Sequence, residues 1–423
     1  MRLKSGLLTF LSFFSIATLA LFSSCKKKDD GPKLVVNQDT KFITLALRSG
    51  IYSDVIKHCL PEFEVSNNVQ CDVLELSEDD LHARVSLAAD KTSEPLELCM
   101  VDGSWMAECA AKGALLNLSE LGYSLDEDII PATTKISYYK DNLYLAPYYG
   151  NVTVLLYNKM LLKFTGYSAD KINSLEDILV ICKKAKKSRN LGFLYRGDTN
   201  NNIVVDFLPI LLSFDGWVVD QNNNPTVDTK EFRDALYYYK KLVDTGKALS
   251  KNDLTMAIAN GAAAMGVAWP GWYTPNKKSA ADYIALNGKA YSNSPNRNAN
   301  VYGVWTIGIP ASSRHPEISA KLLQFLMDAK KQKETVALGG VPCRYSSLQD
   351  PETLQKFPQY KAVCSALEGG IYRPIMKEWS DFYTILGQEM KKILAEEQSV
   401  EAGLKTAQSR LEAMLLSKRQ GEL

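Results

Sequence analysis

Histidine is scarce here, with His58, His82 and His315 the only three in 423 residues. Acyl transfer needs a nucleophile poised against a base, so few imidazoles are available to serve one. His58 and His82 fall on helical patterns, and His315 immediately precedes a helix that starts at Pro316. G-x-S-x-G, P-loop, H-E-x-x-H and dinucleotide fingerprints are all missing. No cysteine pair has C-x-x-C spacing, so neither a zinc site nor thioredoxin-like chemistry is expected. Charge imbalance is missing too: 49 basic and 48 acidic side chains leave +1, with no concentrated field for nucleic acid. The expectation is a protein that is not an enzyme and carries no cofactor and no metal. A carboxylate pair for glycoside hydrolysis is the one catalytic arrangement these absences leave open.

What the chain does have begins at its N-terminus. Arg2 and Lys4 precede an apolar run from Leu7 to Phe22, broken by Ser12, Ser15 and Thr18 and ending Phe22-Ser23-Ser24-Cys25. A basic start, an apolar stretch and small residues before a cut describe a secretory signal. The run is shorter than the roughly 20 residues that span a bilayer; an uncleaved anchor is the competing reading. The residues ending at Cys25 resemble the bacterial lipobox, which implies cleavage before an acylated Cys25. Residues 1–24 then read as signal peptide and 25–37 as a charged, lipid-anchored tether. Seven cysteines remain: Cys59, Cys71, Cys99, Cys109, Cys182, Cys343 and Cys364. An odd number outside the cytoplasm leaves at least one thiol unpaired, and most are expected as buried small apolar residues.

Beyond the tether, strand and helix patterns alternate. Phe42–Leu47 and Val69–Leu76 read as strands, separated by a helical stretch around Tyr52 to Phe63. Glu78 to Ala89 has helical spacing, Leu96–Val101 reads as a third strand, and Trp105 to Lys112 as a helix closed by Gly113. This repetition argues for an α/β fold with a parallel sheet covered by helices. Ligands on such sheets sit beyond the carboxyl ends of the strands. Two polar turns occupy that position, Arg48-Ser49-Gly50 and Asp102-Gly103-Ser104. Asp102 suits a ligand or the cap of the following helix. Downstream, Val152–Tyr157 and Val301–Ile309 read as strands. Asp228 with Glu231 reads as a capping pair for a helix ending at Gly246. Further helices start at Pro316 and span Ser399 to about Leu416.

Several blocks resemble bacterial extracellular solute-binding proteins, family 1. Lys140 to Lys163 (KDNLYLAPYYGNVTVLLYNKMLLK) is similar to the family's approach to Pro followed by an apolar strand ending in Tyr-Asn-Lys. Asp141-Asn142 stands where Gly-Lys is common. Met100 to Leu118, Pro225 to Gly246, Ala259 to Trp272 (ANGAAAMGVAWPGW) and the C-terminal segments Gly303 to Pro316, Gly339 to Arg344 and Phe357 to Pro374 follow in family order. The resemblance implies a two-lobed periplasmic-binding-protein fold with discontinuous lobes and a hinge-bounded cleft. It assigns 38–147 and 301–335 to the N-terminal lobe, and 148–300 and 336–423 to the C-terminal lobe. It further implies hinge closure on a ligand and delivery to ABC transporter permease subunits by a monomer. The expected attachment is through the lipid anchor alone, outside the cytoplasm, with the periplasmic face of the inner membrane the expected side and the outer membrane left open.

A sugar presents hydroxyls at its edge and C–H groups on its faces, so its site needs polar groups and aromatic rings together. The positions matching family binding segments are Asp102, Trp105, Tyr148, Tyr149, Asn151, Trp269, Trp272, Gly303, Trp305, Arg344 and Arg373. Each tryptophan has a competing role as core filler, and of the adjacent tyrosines one can face the cleft and the other the core. Arg373 offers a planar fork to two vicinal oxygens or a phosphate. The ligand expected is a di- or oligosaccharide. A glycerol phosphate or glycerophosphodiester is the alternative, and a surface lipoprotein with an adhesion role is the competing function.

Overall fold

The computed structural model of the chain describes residues 34–275, 278–286, 288–295 and 298–420. Cys25, the apolar leader and the tether up to Lys33 lie outside the described residues. Strands β1 (Lys41–Arg48), β2 (Val69–Leu76) and β3 (Leu98–Asp102) come first, followed by β4 (Leu145–Tyr149). The chain then builds a second sheet from β5 (Val154–Asn158), β6 (Leu191–Tyr195), β7 (Lys247–Ala248), β8 (Ala263–Ala268) and β9 (Ala281–Ile284). It returns to the first sheet as β10 (Trp305–Gly308). The first sheet runs β2-β1-β3-β10-β4 and the second β9-β5-β8-β6-β7.

Every residue of β3, β4, β5, β8 and β10 is buried, the mark of strands covered on both faces. The elements anticipated by pattern fall close to place. The helix after β1 spans Ile51–Asn67 and the one after β2 spans Glu78–Ser86. The sheets are mixed, however, not parallel throughout. β10 runs antiparallel to both β3 and β4, and β5 runs antiparallel to β8 and β9. A strand that re-enters a sheet after crossing to the other body arrives from the opposite end, and local periodicity carries no record of that. The segment read as one strand from Val301 to Ile309 is also split. Val301–Tyr302 pairs with Ile371–Tyr372, and Gly303-Val304 separates it from β10.

Three crossings join the two bodies side by side. Val152 bridges Tyr302, Thr153 N donates to Val301 O at 2.9 Å, and Gly303 N donates to Asn151 O at 2.9 Å. The Val301–Tyr302 and Ile371–Tyr372 pair adds the third. Residues 339–346 bond to elements of the first body, although the sequence assigned them to the second. Ile130 N donates to Cys343 O at 2.9 Å, and Tyr149 Oη donates to Gly339 O at 2.8 Å. All seven cysteines from Cys59 onward are free thiols, and six of them are buried.

Candidate functional site

A cavity opens at the carboxyl ends of β1 and β3 and is closed from the far side by the second sheet's helices and turns. The first lobe contributes Arg48 at the end of β1, Tyr52 from the first turn of Ile51–Asn67, Glu78, Asp102 and Trp305. The second contributes Arg196, the Asn201, Asn202 and Val205 face of helix Asn200–Ser213, Lys251, Trp269 and Trp272. The crossings themselves contribute Asn151, Gly303 and Arg373. Space open to the centre of a water molecule is about 100 Å³. At roughly 10–15 Å³ per water, that is room for one sugar ring rather than a long chain.

Asp102 does one of the two jobs that the sequence left open, the cap, and also holds an arginine. Its Oδ1 accepts from Ser104 N at 2.9 Å and Ser104 Oγ at 2.8 Å, capping the turn after β3. The same oxygen accepts from Arg373 Nη2 at 2.5 Å. The Arg373 fork is thereby fixed, yet its buried Nε has no partner. Asn151 is similar: Nδ2 donates to Tyr52 Oη at 3.3 Å while buried Oδ1 accepts nothing. An orphaned buried donor or acceptor costs about 1–3 kcal/mol, so an unpaired donor and an unpaired acceptor on two residues that line one cavity are a cost that a polar ligand reaching them would offset.

The aromatic wall is built in depth. Trp305 meets Trp105 edge-on at 5.5 Å and Tyr52 at 5.6 Å, and Trp105 is backed in turn by His82 at 4.7 Å. Tyr52 stands edge-on to Tyr149 at 4.8 Å, and burial above all pushes its hydroxyl up to about 12. Trp269 packs against the chain at Gly303, where a Cβ would lie 2.8 Å from two indole carbons. Only glycine lets the backbone approach so closely. Trp272 is half-buried, with the Arg196 guanidinium 4.9 Å from its ring centre and Lys251 Nζ at 5.9 Å. Arg196 is held by Asp206, through Nε at 3.1 Å to Oδ1 and 3.2 Å to Oδ2, and by Asn202 Oδ1 at 2.5 Å. The Glu78 carboxyl is pushed above its ordinary range by burial and then by the Asp102 charge, against the pull of Arg373, Arg48 and Arg196. Asn201 Nδ2 reaches Glu78 Oε1 at 3.4 Å, a long hydrogen bond across the cleft.

The sequence profile of the family described as bacterial extracellular solute-binding protein matches residues 60–362. The chain belongs to this family. A probable amino-acid ABC transporter periplasmic-binding protein of Sinorhizobium fredii is 24% identical over 66% of this chain. The chain spans 65% of that relative's length. A probable ABC transporter-binding protein of Deinococcus radiodurans is 20% identical over 66% of this chain and 71% of its own. Among solved structures, maltose-bound MalE3 of T. maritima superposes with a TM-score of 0.78 at 20% identity, covering 89% of this chain and all of that one. A solute-binding protein of Agrobacterium radiobacter in complex with ribitol gives 0.76 at 21% identity, over 88% and 98%. The fold is therefore the two-lobed one of periplasmic sugar-binding proteins, with the cavity in the interlobe cleft.

For this solute-binding protein, Asp102, Asn151, Trp269, Trp272, Gly303, Trp305 and Arg373 line one cavity. Trp105 stands one layer behind Trp305. Neither adjacent tyrosine lines the space: Tyr149 backs Tyr52 and bonds to Gly339 O, and Tyr148 alternates to the other side of β4, buried. Arg344 is corrected outright. Its fork is used by Gln332 at 3.0 Å, Asp126 at 2.7 Å, Asp128 at 3.2 Å and Met327 O at 2.5 Å, away from the cleft. Arg196, Lys251, Glu78, Asn201, Asn202 and Tyr52 were not anticipated. Of the missed residues Arg48 alone carried a signal, as the first residue of a polar turn after a strand.

Proposed function

We propose that this protein is the lipid-anchored substrate-binding component of an ABC importer, and that its cleft takes a small carbohydrate or polyol. The observation that carries the reading is the pairing of unfilled polar atoms, Asn151 Oδ1 and Arg373 Nε, with the indoles of Trp269, Trp272 and Trp305 around one space. Polar edges and aromatic faces together match a sugar's two kinds of surface. No residue arrangement in the cleft is assigned a catalytic step; the protein binds and releases. The maltose, ribitol and D-mannitol in the neighbours' crystals support the class without fixing the member. The space favours a ligand of about one ring, so a longer glycan would extend from the mouth.

Binding to both lobes draws them together, and recognition of the closed form by permease subunits couples capture to import. The lipid anchor rests on the Ser23-Ser24-Cys25 site after the apolar run, and two or more acyl chains make attachment durable. Titration calorimetry against maltose, ribitol, mannitol, tagatose and the common hexoses tests the ligand reading. Saturable binding of at least one is expected. Binding of none, alongside tight binding of an amino acid, would overturn it.

A further inference from the structure

The charges in the cleft do not balance, and the imbalance is arranged across the two lobes. Counting the lining side chains and Asp206 behind them, four cations (Arg48, Arg196, Lys251, Arg373) face three carboxylates. Two of the cations are committed: Arg373 to Asp102 and Arg196 to Asp206. Arg48 and Lys251 form no ion pair with a carboxylate among the described residues. Arg48 spends one Nη1 contact on Ser49 Oγ at 2.7 Å and a longer one on Leu76 O at 3.3 Å, both neutral. It is half-buried at the end of β1, in the first lobe; Lys251 opens helix Lys251–Ala259 in the second and is reached by solvent. The remaining carboxylate, Glu78, is pushed toward its neutral form by burial and then by the Asp102 charge.

We propose that the ligand carries an anionic group, a carboxylate or phosphate on a sugar or polyol, received between Arg48 of one lobe and Lys251 of the other. The inference rests on the carbohydrate reading and narrows it. With the cleft empty, two like charges approach as the lobes close, which opposes closure; an anion between them turns that repulsion into two attractions. Neutral polyols fill the aromatic part of the site without removing the repulsion. Lys251 is exposed as a residue, but its ammonium lies 5.9 Å from the Trp272 ring centre, and desolvation there, followed by the Arg48 and Arg196 charges, lowers its pKa. The orphaned Arg373 Nε adds a donor on the same side of the balance.

The test is titration calorimetry with matched pairs: D-galacturonate with D-galactose, D-glucuronate with D-glucose, and glycerol 3-phosphate with glycerol. At least one acid should bind about tenfold or more tightly than its neutral partner, with a preference that shrinks as salt rises. The uronate and phosphate arms separate the two sources of the charge. Arg48→Gln and Lys251→Gln should each cut the acid-to-neutral ratio severalfold, and Arg48→Lys should keep most of it, with unfolding curves run on every variant. Neutral partners binding as well as the acids, with ratios unmoved in both glutamine variants, would overturn this inference and leave the carbohydrate reading standing. If no sugar of either kind binds, thermal protection by inorganic phosphate over chloride at equal ionic strength decides. Protection lost in both glutamine variants would retain the anion site and remove the carbohydrate reading; protection unchanged in them would remove both.

Discussion

Trp272 and Arg373 occupy the cleft in different ways, and their substitutions separate binding from folding. Trp272 is half-buried in the turn Pro270–Trp272 and covers the Arg196 guanidinium. Trp272→Ala should weaken ligand binding roughly 10–100-fold in calorimetry, the loss typical of an aromatic anchor, with a minor shift in unfolding. Arg373 is 6% exposed and neutralises Asp102, itself 4% exposed. Arg373→Ala strands a buried carboxylate, so urea unfolding should show a loss of about 3 kcal/mol in addition to weakened binding. Glu78 gives a pH signature. Because its folded pKa is raised, by burial first and Asp102 next, the folded state holds this proton more tightly than the unfolded chain. Stability is then full below the ordinary glutamate range and falls as pH rises through the folded pKa. Glu78→Gln should therefore leave stability unchanged in acid and raise it at neutral pH; a variant less stable at neutral pH than at pH 4, relative to wild type, would reverse that sign.

At the scale of elements, what the sequence made legible was local. Val69–Leu76 coincides with β2 because it is the edge strand of its sheet, where alternation survives: Val69, Cys71 and Val73 are covered while Asp72 and Leu74 are exposed. The helix beginning at Pro316 starts where proline fills the first helical position. Helix Lys230–Val243 shows the limit. The pattern Asp228 with Glu231 reads as a cap pair, but Thr229 is the N-cap, its Oγ1 accepting from Phe232 N at 3.3 Å. Asp228 turns instead to Arg233 Nη1 at 2.5 Å. Asp and Thr are both good caps and stand one residue apart, so composition alone does not choose. Thr229→Ala should cost about 1 kcal/mol in urea unfolding and Asp228→Ala less. Equal losses, or the reverse order, would show that the helix is capped one residue earlier.

Across the whole molecule, the site became legible only where a motif brought its own context. Asp102 ends a strand, Trp272 sits between Gly271 and Thr274 in a turn-rich block, and Asn151 and Gly303 lie on crossings between sheets. Arg196 and Lys251 are single cations in segments without a pattern, and they reach the cleft because two separate folding units meet there. Arg344 misled for the opposite reason: it follows a glycine-rich turn, yet its fork is spent bonding to residues 126–128 and 327–332. Mixed sheet direction was equally hidden, since β10 joins the first sheet some 200 residues after β3. The two bodies meet along three crossings and a cleft lined from both sides, so a ligand that fills the cleft holds both. The most direct measurement is a crystal structure of the protein with the tightest ligand from the calorimetric panel. The expected result is a sugar or polyol between Trp272 and Trp305, its oxygens on Asn151 Oδ1 and Arg373 Nε and its charged group between Arg48 and Lys251. A ligand bound elsewhere, with those two atoms still unpartnered, would contradict it.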